Sequence, residues 1–154
     1  MRRFLPAILL SALASCCNTE VDRPRPADVE RGVSEAIIGM YSAFQQRDLA
    51  KVGQFMTPES TCYDAIRSEM LNGRQAVLDH FGAILAEHKA GEAWESSIEG
   101  MKVTSNGDMA CATYRVRTSA GGRHAVAAVT HIFARIEGRW LAVHLHRSWN
   151  AAPK

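Results

Sequence analysis

Near the C-terminal end the chain reads Leu141-Ala142-Val143-His144-Leu145-His146-Arg147-Ser148. Side chains on a strand alternate between two faces, so Leu141, Val143, Leu145 and Arg147 share one face and His144 and His146 the other. The three apolar residues direct their face to the core and take Arg147 with them. A guanidinium there is costly unless an acid or an anionic ligand meets it. Two readings follow for Arg147: an internal salt bridge to Asp64 or another buried acid, or recognition of a small anion. Asp64 follows Tyr63 on a short predicted strand; a carboxylate among apolar groups has a raised pKa and can move a proton next to a carbonyl. His131 shares a face with Phe133 and could titrate near neutral pH, although a core imidazole held by one hydrogen bond is the simpler role. His144 and His146, at i and i+2, offer two ligands where zinc wants three or four. Only His124 could add a third, so no metal is assigned. There is no G-x-S-x-G and no glycine-rich phosphate loop, and no cofactor is expected.

The elements that must position these groups are legible in the spacing. Val29, Val33, Ile37, Met40, Tyr41 and Phe44 mark one face of a helix that Asp28 can cap and that ends near Gln46. Asp48 can cap a short second helix carrying Leu49, Val52, Phe55 and Met56, stopped by Thr57-Pro58. Thr61-Cys62-Tyr63 reads as a short strand. Asn72-Gly73 turns into a third helix with Val77, Leu78, Phe81, Ile84 and Leu85 on one side. After Gly91 the period becomes two. Strands are predicted over 94–104, with a bulge at Gly100, and over 109–118, 124–136 and 140–149. Asn106-Gly107, Gly121-Gly122 and Gly138 mark the turns between them. The fold class is α+β: a cone-shaped, curved antiparallel sheet packed on three helices, open at one end.

Met1 to Arg3 are a cationic start and Phe4 to Leu13 an apolar run of signal-peptide length, too short to span a bilayer. Leu13-Ala14-Ser15-Cys16 resembles the bacterial lipobox, which implies cleavage before Cys16 and lipidation of its sulfur. Acyl chains contribute about 0.8 kcal/mol per buried methylene, so a multiply acylated Cys16 anchors firmly. Cys17 follows where an inner-membrane retention signal would carry Asp. The expected address is therefore the cell envelope, lipid-anchored in the outer membrane and facing the periplasm. Residues 1–15 read as signal peptide, 16–28 as lipidated Cys and tether, 29–150 as the domain and 151–154 as a tail. An oxidising compartment would allow Cys62 and Cys111 to pair, but spacing alone leaves that open.

Of 154 residues, 47% are apolar and 22% charged, the balance of a globular domain. Lys and Arg number 18 against 16 acids; without Arg2 and Arg3 the counts are 16 and 16. A neutral domain offers no basic face for phosphates, which argues against a nucleic-acid partner.

Arg47-Asp48-Leu49, the Thr-x-Tyr-Asp of residues 61–64 and the four-strand tail resemble the nuclear transport factor 2-like superfamily. Ketosteroid isomerase and the SnoaL-like proteins belong to it. Ala110-Cys111-Ala112-Thr113-Tyr114, Gly138-Arg139-Trp140 and Val143-His144-Leu145-His146-Arg147-Ser148 are most similar to the association (hub) domain of calcium/calmodulin-dependent protein kinase II. The resemblance implies that Arg147 lines a pocket for small carboxylates. The hub's further pocket arginines fall here at His131 and Val116, with Arg115 and Arg117 on the opposite face. Tyr41, Tyr63 and Tyr114 join Arg147 and His131 as expected ligand-binding residues. By the same resemblance, Asp64 falls, with a small gap, where ketosteroid isomerase keeps its general base. Tyr41, however, is one position out of register with the isomerase tyrosine, and no second acid is evident. The expectation is a self-associating, membrane-anchored domain that binds a small, anionic molecule without catalysis. Its alternatives are an isomerase- or cyclase-type enzyme using Asp64 and an oligomerisation scaffold.

Overall fold

The computed structural model describes residues 24–63, 69–88 and 94–150. Helix α1 spans Pro26–Gln45, α2 Leu49–Gly53 and α3 Arg74–Ala86. The strands are β1 Met56–Tyr63, β2 Leu71–Asn72, β3 Trp94–Asn106, β4 Met109–Ala120, β5 Arg123–Ile136 and β6 Arg139–Asn150. They form one six-stranded sheet in the order β2-β1-β6-β5-β4-β3. Strands β3 to β6 are an antiparallel meander, as the turn residues predict, and β1 joins β6 in parallel.

Helix α1 begins three residues before the expected boundary, so 26–28 belong to the helix and not to the tether. Arg25 is the N-cap and Pro26 opens the first turn, where a missing N–H costs nothing. Asp28 instead accepts from Arg25 (2.7 Å) and Arg31 (2.6 Å). The expected apolar stripe is the buried one: Val29, Val33, Ile37, Met40, Tyr41 and Phe44 are all buried. Two glycines allow close approach on this helix. A Cβ on Gly32 would lie 2.7 Å from Trp140 Cδ1, and one on Gly39 2.6 Å from Phe55 Cζ.

Asp48 caps α2 as expected, accepting from the Lys51 N–H. Arg47 adopts a left-handed φ of 61°. Its guanidinium donates to the carbonyls of Leu85 and His88, tying the α1–α2 corner to the end of α3. The reading of Pro58 needs correction: α2 has already ended, and Met56 and Pro58 lie in β1. The proline is tolerated because the pairing with β6 is interrupted between Met56 and Thr61, so its missing N–H breaks no ladder bond. Side chains bridge the gap, with Ser60 Oγ donating to the Ala142 carbonyl at 2.6 Å.

Two bulges bend the sheet. Gly100, with φ 62°, sits where the β3–β4 register shifts, as expected. The second was not visible in the sequence. On β5–β6 the partner of Ile132 is His144 while that of Phe133 is Ala142, so Val143 is the extra residue. Trp140 and Ala142 therefore face the core before the bulge, and Leu145 faces it after. Leu141 and Val143 do not share the face of Leu145 and Arg147.

Cys62 lies on β1 and Cys111 on β4, with β6 and β5 between them. Three strand spacings separate them by roughly 14 Å, beyond disulfide reach.

Candidate functional site

The concave side of the sheet closes over α1 and α3 and leaves a small internal space. Met40, Tyr41 and Phe44 of α1 line it, with Val52, Phe81, Trp94, Val116, Thr118, Leu145 and Arg147. Its volume is about 20 Å³, room for roughly one water. Among the described residues no carboxylate lines it.

Arg147 reaches this space because the Val143 bulge restores inward parity at Leu145. Its guanidinium carbon lies 5.7 Å from the centre of the Phe81 ring and 5.6 Å from that of Trp149. Two aromatic rings thus replace part of its hydration, an arrangement that favours a cation. The sequence spacing puts Phe81 on the apolar side of the third helix and Trp149 at the end of the last strand, a core or interface position. The contact of Arg147 with Phe81 joins α3 to β6 and carries no local signal, whereas Trp149 shares the face of Arg147 two residues along the same strand.

Behind the space lies a polar pair on neighbouring strands. Tyr114 is 4% and His131 1% exposed, and the phenol oxygen is 3.0 Å from His131 Nδ1. Burial, reinforced by the charges of Arg147 and His144, lowers the His131 pKa to about 3. This corrects the expectation of titration near neutral pH: the imidazole is neutral. Burial pushes the Tyr114 phenol well up, aided by Tyr41 and opposed by Arg147. Tyr41 packs edge-on against Tyr114, ring centres 6.2 Å apart. The structure therefore brings Arg147 and Tyr41 to the cavity wall, with Tyr114 and His131 behind them. Val116 lines the cavity as an apolar residue, so the positive charge on the described lining is that of Arg147 alone.

Tyr63 is elsewhere. It is 40% exposed and packs edge-on against His144 and His146, each at 6.2 Å, on the convex face of the sheet. Its expected place with the other tyrosines is corrected by strand parity. His144 there shares a 2.8 Å hydrogen bond with Thr61. Among the described residues no group of three or more His, Cys, Asp or Glu is placed to hold a metal. Asp64 and Cys16 lie outside the described residues. No described helix is long and apolar enough to cross a membrane.

A helix-backed, bulged sheet wrapped around a blind, largely apolar space is the architecture of the nuclear transport factor 2-like proteins. A sequence model of the SnoaL-like domain matches residues 33–152, and the chain belongs to that family. Comparison with curated proteins finds no match. Among solved structures, a proposed dehydratase of the nuclear transport factor 2-like family from Streptomyces avermitilis is similar, at 21% identity and TM-score 0.74. The match covers 83% of this chain and 100% of that one. A nuclear transport factor 2-like protein from Pseudomonas putida aligns at 18% identity and TM-score 0.73, covering 84% and 100%. A proposed calcium/calmodulin-dependent protein kinase II association domain from Xanthomonas campestris gives 19% and 0.67, covering 86% and 96%. These likenesses establish the fold.

Proposed function

We propose that this chain is a lipid-anchored, self-associating binding domain whose cone receives the charged end of a small anionic molecule at Arg147, without catalysing its conversion. The observation that carries this reading is the guanidinium on the wall of an apolar cavity, held between Phe81 and Trp149. A cation so placed favours an anion over a neutral ligand. The described lining offers Tyr41, Thr118 and Arg147 as polar groups and no carboxylate, a set suited to holding an anion and lacking a base. The small volume limits what can be enclosed: a space for roughly one water admits an oxygen of a carboxylate, and the rest of the ligand stays at the mouth. Self-association is supported by the convex face of β4, β5 and β6, where Thr130, Ile132 and Ala134 are only partly buried.

The test is native mass spectrometry of a chain beginning at Asn18, followed by calorimetric titration with acetate, malonate and benzoate. Binding that disappears in Arg147→Met, with the fold retained, supports the reading; binding equal in both chains sinks it. A monomer in the spectrum removes the self-association.

The alternative reading is an enzyme using Asp64 as base, favoured by the proposed dehydratase among the similar folds and by a phenol, Tyr41, on the cavity wall. Asp64→Asn separates the two, since it abolishes turnover of a substrate and leaves carboxylate binding at Arg147 in place. An oligomer indifferent to both substitutions would be a scaffold.

A further inference from the structure

Trp149 stands on the same side of β6 as Arg147, two residues further along; it flanks the guanidinium beside the space without being one of the side chains that line it. Its indole Nε1 is buried and has no hydrogen-bond partner among the described residues. The contrast with Trp94 is informative, because that indole donates to Ser96 Oγ at 3.1 Å. An indole N–H is a donor only, and burying one without an acceptor is unfavourable. The groups around it sharpen the question of what would accept. The guanidinium carbon of Arg147 is 5.6 Å from the Trp149 ring centre, and the two side chains are presented by one strand. Both are donors and neither can accept, so they cannot satisfy one another.

We propose that Trp149 is a second anion-recognition residue, its indole N–H donating to the same carboxylate that pairs with the Arg147 guanidinium. The inference deepens the binding function proposed above and rests on it. It narrows the ligand class to molecules whose charged end has acceptor lone pairs in more than one direction, as both oxygens of a carboxylate provide. One oxygen meets the guanidinium and the other reaches the indole, each at about 2.9 Å. A cationic or purely donor headgroup is excluded by the same pair. The Trp149 ring does two things at once: its face holds the guanidinium and its edge completes the site.

The experiment uses acetate as the probe and Trp149→Phe as the variant, which keeps an aromatic face beside Arg147 and removes only the N–H. Wild-type and variant chains, both beginning at Asn18, are titrated by calorimetry. The indole resonances of the ¹⁵N-labelled wild type are followed in parallel, with Trp149 assigned as the one missing from the variant. The expected result is about tenfold weaker acetate binding by the variant, the loss of one charge-assisted hydrogen bond, with a melting temperature no lower than wild type. The Trp149 indole proton should move downfield as acetate binds while those of Trp94 and Trp140 stay in place. Equal affinity of the two chains, or an indole resonance that does not respond, overturns the role of Trp149 while Arg147 binding stands. Failure of the wild type to bind acetate overturns the binding function and this inference together. Should Trp149→Phe not fold, the wild-type indole response decides alone, with Trp94→Phe and Trp140→Phe supplying the assignment.

Discussion

Tyr114 on β4 and His131 on β5 meet inside the cone through a 3.0 Å contact between the phenol oxygen and imidazole Nδ1. Both are buried. Two polar side chains in such a place must satisfy each other, because neither has access to bulk water. The pair backs Tyr41 and is close enough to Arg147 to feel its charge. With a neutral imidazole there, Arg147 provides the charge on the described lining of the cavity.

Stability should fall in mild acid because of His131. Its folded pKa of about 3 lies below the ordinary 6.5, so as pH drops the unfolded chain takes up a proton that the folded chain refuses. The contribution is complete above about pH 6.5 and is lost on the way down to about pH 3, at up to about 1.4 kcal/mol per pH unit. Partial burial, with the His146 charge, also lowers His144 and adds in the same direction. Urea unfolding at pH 7 and pH 5 should show this slope in the wild type and a shallower one in His131→Gln. Parallel slopes would refute it.

Removing both members of the buried pair should cost less than the sum of removing each alone. Tyr114→Phe leaves Nδ1 without its partner, and the expected loss is about 1–3 kcal/mol. The double variant Tyr114→Phe with His131→Leu should be less destabilised than the sum of the single changes. Additive losses in a double-mutant cycle of denaturant midpoints would mean the contact contributes nothing.

Gly32→Ala should destabilise the fold despite the better helix propensity of alanine. The new methyl would stand 2.7 Å from Trp140 Cδ1, and repositioning a buried indole costs about 1–3 kcal/mol. A melting temperature at or above wild type would show that α1 can move away from β6.

Charge on the convex face should break self-association without unfolding the domain. Thr130 pairs with Thr113 and His146 near the middle of that face. Thr130→Arg should therefore yield a monomer with an unchanged far-ultraviolet circular dichroism spectrum. An oligomer of wild-type mass by light scattering would place the contact elsewhere.

Cys16→Ala should abolish metabolic labelling of the chain with a fatty acid and shift it from the membrane fraction to the soluble one. Continued labelling would place the lipid on another residue or remove the lipoprotein reading altogether.

The helices and hairpins were legible because their signals are local. The stripe from Val29 to Phe44 repeats with the helical period, and the glycines at 100, 107, 121, 122 and 138 all adopt the positive φ that their turns or bulge require. Pro58 misled for the opposite reason. A proline argues against a strand only where its N–H would be bonded, and that depends on the register with β6, more than 80 residues away. The inward direction of Arg147 was read correctly, but through a face shared with Leu141 and Val143 that does not exist. The bulge at Val143 changes the parity, and Leu145 alone of the three keeps company with Arg147.

The sequence by itself determined the class of fold, the order of its elements and the presence of a cation among apolar residues, since periodicity, turn chemistry and composition act over a few neighbouring positions. Tertiary structure decided which groups meet that cation. Phe81 reaches it from α3, and Tyr114 with His131 back the cavity because β4 and β5 pair in one register. Tyr63, on the convex face, is separated from the other tyrosines by strand parity. Each of these is a contact between distant segments, and long-range register and bulges leave little trace in any short stretch of the chain.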